Sequence, residues 1–248
     1  MLEKKRLIAI DISRGTYKDF VGAILNYAKA KTSSYVCLAN VHMVIEAYEH
    51  PEFADIVNGA DLVTPDGMPL TQAIKSLYNE EQERVDGMSL LPVLLAESEE
   101  NNLSVYFYGS SQETLDLTST HLAENYPNLQ VAGMYSPPFR KLTFAEEQET
   151  VEKITASGAN IVFVVLGCPK QEMWMASMKG KIPAIMLGIG GALPVLVGQQ
   201  KRAPEWMQKN SLEWLYRLAQ EPSRLFKRYF KTNTMFMYLM AKEKLRIN

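Results

Sequence analysis

No stretch of the 248-residue chain approaches the roughly 18 to 20 consecutive apolar residues that a membrane-spanning helix needs. The amino-terminal MLEKKRLIAIDIS carries too short an apolar run for a secretory signal. Cysteine is scarce: Cys37 and Cys168 stand alone inside apolar stretches. With no CxxC and no Cys/His cluster, a structural zinc site is not expected. Two isolated thiols suit a reducing, cytoplasmic compartment. The three histidines, His42, His50 and His121, form no Ser/His/Asp arrangement, and no nucleophile elbow is visible. A Walker A motif is also missing. No pair of aspartates one residue apart follows a strand, so a carboxylate-held metal–diphosphate site has no evident ligands and no metal is expected.

A net excess of either charge is nearly lacking, the formal net charge being −2, which gives no reason to expect a nucleic-acid partner. Its distribution is uneven. Residues 201–248 hold eleven Lys/Arg and four Asp/Glu, or +7, leaving 15 minus 24, or −9, for the rest. A basic tail of this kind suits an anionic surface such as a membrane or a phosphate; a solvated basic helix face would carry the same charge.

With 47% apolar residues the chain can bury a substantial core. Short β-rich runs at 6–10, 35–39, 62–63, 104–108, 129–134, 160–166 and 184–189 alternate with amphipathic stretches. That alternation predicts an α/β fold: a Rossmann-like, mostly parallel sheet with helices on both faces. Residues 1–200 read as this α/β domain. Residues 201–248 read as a basic amphipathic appendage of two helices, 213–220 and 223–246, parted at Glu221-Pro222. Arg224, Lys227, Arg228 and Lys231 recur at helical spacing and share a face. Together with Phe226, Tyr229 and Phe230 they give the composition of an interfacial helix. Apolar area on the tail suits self-association into a homo-oligomer as well as lipid contact.

In open α/β sheets ligands bind beyond the carboxyl ends of the strands. Asn40, Asp66, Gly109 and Ser110, the Gly167–Glu172 stretch with Gln171, and Gly188, Gly190 and Gly191 occupy such positions. Glycines there let the backbone approach a ligand, and the helix that follows offers free N–H groups to a phosphate. Asp66 lies in Pro65-Asp66-Gly67 and has two readings: a turn or helix-cap residue, or a carboxylate that takes a proton. Arg84, after Glu80, Glu81 and Glu83, is a surface charge, or a phosphate or carboxylate clamp. His42 is close enough to Asn40 to line a pocket, although a histidine at a helix start is more often structural.

Several segments, in order, carry a resemblance: Asn40; ADLVTPDGMPL at 60–70; Arg84-Val85-Asp86-Gly87; Gly167-Cys168-Pro169-Lys170-Gln171-Glu172; Gly188-Ile189-Gly190-Gly191; Lys201-Arg202-Ala203-Pro204; and Glu213-Trp214-Leu215-Tyr216-Arg217 with Glu221-Pro222. From about residue 6 to residue 229 the chain resembles the WecG/TagA/CpsF family of bacterial glycosyltransferases. The resemblance implies an inverting, metal-independent transfer of a hexose or N-acetylhexosamine from a UDP-sugar, with no further cofactor. The acceptor it implies is a polyprenyl-diphosphate-linked sugar of cell-surface polysaccharide synthesis, met at the inner face of the cell membrane. It implies Asp66 as general base, and Asn40, Arg84 and Gln171 in the pocket. Arg217 and Arg224, with Lys227 or Arg228 as a third, would close over the site from the appendage. Where relatives often carry threonine and aspartate, this chain has Leu38 and Pro194. The donor therefore stays open among N-acetylmannosamine, glucose and a uronic acid. The competing reading is a non-catalytic nucleotide-sugar-binding protein or a peripheral membrane scaffold.

Overall fold

The computed structural model describes residues 2–247, with side chains for all of these except Lys209, Arg224, Arg246 and Ile247. Two strands, β1 (Lys4–Leu7) and β2 (Ile10–Ser13), come first. They are followed by α1 (Tyr17–Lys29), β3 (Ser34–Ala39), α2 (Val41–Glu49), α3 (Pro51–Asn58), β4 (Leu62–Pro65), α4 (Met68–Tyr78) and α5 (Gly87–Glu100). The chain then alternates through β5 (Val105–Gly109), α6 (Gln112–Asn125), β6 (Val131–Tyr135), α7 (Phe144–Ala156), β7 (Ile161–Val165), α8 (Lys170–Met178) and β8 (Ile185–Gly188). It closes with α9 (Ala192–Leu196), α10 (Glu205–Lys209), α11 (Glu213–Gln220) and the long α12 (Pro222–Ile247). No described helix is long and apolar enough to cross a membrane.

Six strands form one parallel sheet in the order β4-β3-β8-β7-β5-β6. Period-two alternation sends successive side chains to opposite faces. Cys37, Val162, Val164 and Met186 enter one core with α2, α3, α4 and α8. Val36, Leu38, Phe163 and Leu187 enter the other with α1, α5 and α6. Burial on both faces explains why β7 is apolar at every position rather than alternating.

The first strand departs from expectation. Instead of one strand over 6–10, β1 and β2 form an antiparallel hairpin outside the main sheet. The chain turns at Ile8-Ala9, with Ile8 in the left-handed region at φ 57°. Such turns usually carry Gly or Asn; with neither present, the segment reads as one continuous run. The hairpin covers β4, the edge strand, and the Val63 amide donates to Ser13 Oγ at 3.0 Å. Such cover protects an edge from pairing with another chain.

The C-terminal helices fold back over the sheet. Leu225, Thr232, Phe236 and Leu239 are buried and recur on one side of α12, which packs on α2 and α4. Phe226, Phe230 and Met237 are exposed on the other side, with the Phe226 and Phe230 rings stacked. The basic stripe divides. Arg228 turns into a cleft, Lys231 is 2.7 Å from Glu49 of α2, and the Arg224 side chain lies outside the described residues.

Candidate active site

A cleft of about 510 Å³ lies at the carboxyl ends of β3, β4, β7 and β8 and beneath α11 and α12. Asp66 stands at the end of β4, and its backbone is braced on every side. The Asp66 and Gly67 amides both donate to the Ala39 carbonyl, at 2.8 and 3.3 Å. The Arg84 Nε donates to the Asp66 carbonyl at 2.6 Å. Thr64 Oγ1 donates to the Val85 carbonyl and the Val85 amide donates to the Pro65 carbonyl, so the segment bearing Arg84 is stitched to β4. The N-cap of α4 is Gly67, with no side-chain cap bond. The Asp66 carboxylate is therefore not the cap, and it makes no ion pair among the described residues. A fixed backbone leaves an unengaged carboxylate facing the cleft. Its removal from water pushes its pKa up to about 7, helped by the negative charge of Asp86 and opposed by Arg84; Glu213 and Arg217 add smaller, opposite pulls.

Asn40 is the N-cap of α2, its Oδ1 accepting from the Met43 amide at 3.2 Å. Its amide N–H groups remain for a ligand. Arg84 reaches further: its Nη2 meets Glu213 Oε2 of α11 at 2.7 Å, tying the sheet side of the cleft to the appendage. Asp86, the N-cap of α5, is 3.1 Å from Arg202 and 3.9 Å from Arg84. Charges therefore alternate through Arg202, Asp86, Arg84 and Glu213, and the last three of these line the cleft. Arg217 projects from α11 and Arg228 from α12 into the same cleft.

Gln171 lines the cleft and is otherwise nearly buried. Its Oε1 accepts from the Gly167 amide at 3.1 Å. Its Nε2 donates to the Gly188 carbonyl at 3.0 Å and to Glu172 Oε1 at 2.8 Å. Both amide hydrogens are spent on protein, so Gln171 clamps the loops after β7 and β8 together. Glu172 lies beneath it, fully buried and off the cleft surface; burial pushes its carboxyl up to about 7, against the hydrogen bond from Gln171. A carboxyl raised in this way favours the fold below its unfolded pKa near 4.5 and progressively less as pH rises through about 7. Glu172→Gln is accordingly expected to raise the melting temperature at pH 8 and to leave it nearly unchanged at pH 4, measured by thermal unfolding at the two pH values.

The glycines after β8 also serve packing. A Cβ at Gly188 would lie 2.7 Å from Gln171 Nε2, and one at Gly191 would lie 3.1 Å from Arg217 Nη2. Gly109 and Ser110 do not line this cleft. A Cβ at Gly109 would sit 2.6 Å from the Val165 carbonyl oxygen, and the Ser110 amide donates to that carbonyl. Close approach of β5 to β7 requires glycine at that turn. Of the two departures, Leu38 lines the cleft and Pro194 does not.

The profile of the WecG/TagA/CpsF glycosyl transferases matches residues 5–248. The chain belongs to this family. Among its relatives, an N-acetylglucosaminyldiphosphoundecaprenol N-acetyl-beta-D-mannosaminyltransferase of Bacillus spizizenii is 29% identical over 225 residues, 90% of this chain and 86% of that protein. A protein of the same name from Staphylococcus aureus is 27% identical over 247 residues, 98% of this chain and 94% of that protein. Asp66, Asn40, Arg84, Gln171, Arg217 and Arg228 all line the one cleft. His42, Asp86, Glu213 and Thr232 line it as well. Asp86 and Glu213 stood inside the quoted segments with no assigned role, and their alternation with Arg84 and Arg202 was the available signal. Thr232 gave none, because its place depends on where α12 lands.

Proposed function

We propose that the protein is an inverting glycosyltransferase that moves a sugar from a UDP-sugar to a sugar carried on polyprenyl diphosphate. The observation carrying this reading is the Asp66 carboxylate, unengaged on a braced backbone beside Arg84 and Arg217. In the proposed step an acceptor hydroxyl oxygen bonds to the anomeric carbon as the bond from that carbon to the UDP oxygen breaks on the opposite side. Asp66 takes the hydroxyl proton. UDP departs with the bonding pair, and Arg84, Arg217 and Arg228 stabilise its growing negative charge. Arginine suits this work because it stays protonated and can grip phosphate with two parallel N–H bonds. These guanidinium groups supply positive charge where other enzymes use a metal ion. The names of the relatives support an N-acetylmannosaminyl donor and a GlcNAc-diphosphate lipid acceptor. The exposed Phe226, Phe230 and Met237 support seating of α12 on the inner leaflet.

The test is acceptor-dependent UDP release by the full chain. The donors are UDP-N-acetylmannosamine, UDP-glucose and a UDP-uronic acid, each with GlcNAc-diphosphate on a short polyprenol. One donor is expected to turn over at a rate that EDTA changes less than about twofold. No release above the acceptor-free background with any donor would overturn the reading. Loss of rate in EDTA, restored by Mg²⁺, would overturn its metal independence.

A further inference from the structure

Three polar atoms in the cleft wall are covered by protein yet have no hydrogen-bond partner among the described residues: His42 Nδ1 on α2, and Arg228 Nε and Thr232 Oγ1 on α12. A buried polar atom left without a partner is destabilising, and such atoms are few in folded proteins. Three along one seam call for an explanation. Arg228 and Thr232 are four residues apart and so share a helix face, and α12 packs on α2, which carries His42. Burial and the adjacent Arg228 charge hold the His42 imidazole below its ordinary pKa, with Glu46 opposing and Lys231 assisting.

A neutral imidazole gives one hydrogen bond and accepts one; a threonine hydroxyl gives one and accepts up to two. Two groups that both give and accept match carbohydrate hydroxyls, which do the same. A diphosphate only accepts, and arginine alone would answer it. The seam is also placed for the lipid-borne partner. Asn40 begins the helix that carries His42, and the Asn40 Cα lies 3.7 Å from the Cβ position of Gly67, next to Asp66. The opposite side of α12 bears the exposed Phe226 and Phe230.

We infer that His42 and Thr232, facing the seam between α2 and α12, form the subsite that holds the hydroxyl groups of the acceptor sugar. This rests on the transfer reading above. His42 and Thr232 bind and orient; Asp66 remains the group that takes the proton.

The experiment measures steady-state transfer by the full chain, varying donor and short-chain GlcNAc-diphosphate polyprenol separately, alongside calorimetric binding of UDP. His42→Ala and Thr232→Val are each expected to raise the acceptor KM about tenfold, with donor KM and UDP affinity within about twofold of wild type. Thr232→Ser, which keeps the hydroxyl, is expected to stay within about twofold on every measure. His42→Asn, which keeps a donor and an acceptor, is expected to fall between wild type and His42→Ala. An acceptor KM unchanged in both His42→Ala and Thr232→Val would overturn the subsite while leaving the transfer reading intact. So would an equal rise in donor KM, or a Thr232→Ser enzyme as impaired as Thr232→Val. A wild-type enzyme that transfers nothing to this acceptor would overturn both.

Discussion

Asp66→Asn is expected to lower kcat by about 10² to 10⁴-fold, the range associated with a general base, while UDP binding stays within about twofold. Asparagine keeps the size and the braced backbone of the residue but cannot take the proton. The pH dependence follows from the same carboxylate. With its pKa raised to about 7, wild-type kcat/KM should climb about tenfold per pH unit below pH 7 and level off above it, because only the ionised form acts. The variant should show no such limb. Stability moves the other way. A raised carboxyl contributes most below its unfolded pKa near 3.8 and loses that contribution as pH rises through about 7. Asp66→Asn should therefore melt higher than wild type at pH 8 and no higher at pH 4. A near-normal rate in Asp66→Asn would remove Asp66 as the base, whatever its melting temperature.

Arg84→Ala is expected to lower kcat/KM by at least about 10²-fold, because the one side chain serves several partners. It holds the Asp66 carbonyl, it neutralises Glu213, and in the proposed reaction it faces the departing diphosphate. Losing the strongest opposing cation should also move the rising limb of the pH profile above 7, since Arg84 is the main group pulling the Asp66 pKa down. Arg84→Lys should recover little. An ammonium is a point charge on a flexible stem and cannot reproduce the fork that reaches the Asp66 carbonyl and Glu213 together. Removing Glu213 along with Arg84 should cost less than the sum of the two single changes, because the pair is in direct contact. The pH–rate profiles of the single and double variants check each of these outcomes.

Much of this architecture is legible in the chain because each helix and strand carries its own periodicity. The apolar run at β7 marks a strand covered on both faces, and the residues just after β3 and β4 mark the cleft. The hairpin at Ile8 is not legible, because a β-branched residue in the left-handed region has no turn signature. At strand ends the sequence shows which residues stand near a site, but not which way they point. Gln171 lines the cleft but spends its amide on its own loops, and Gly109 and Ser110 lie against the end of β7. Glycine after a strand meets either need, and only the neighbouring backbone decides between them. His42 and Thr232 reach the same cleft through the docking of α12, a long-range event that local propensity does not encode.

The two walls of the cleft differ in how they are built. The Asn40 and Asp66 wall hangs from strands hydrogen-bonded within a six-stranded sheet. The Arg217, Arg228 and Thr232 wall rides on helices held to the body by an apolar stripe and a few side-chain bridges, Arg84–Glu213 and Lys231–Glu49 among them. Amides of the sheet should exchange with solvent only through global unfolding, whereas those of α11 and α12 can exchange through a cheaper, local opening. The fraction of molecules competent at any instant is then set by the appendage's own opening equilibrium rather than by the stability of the whole fold.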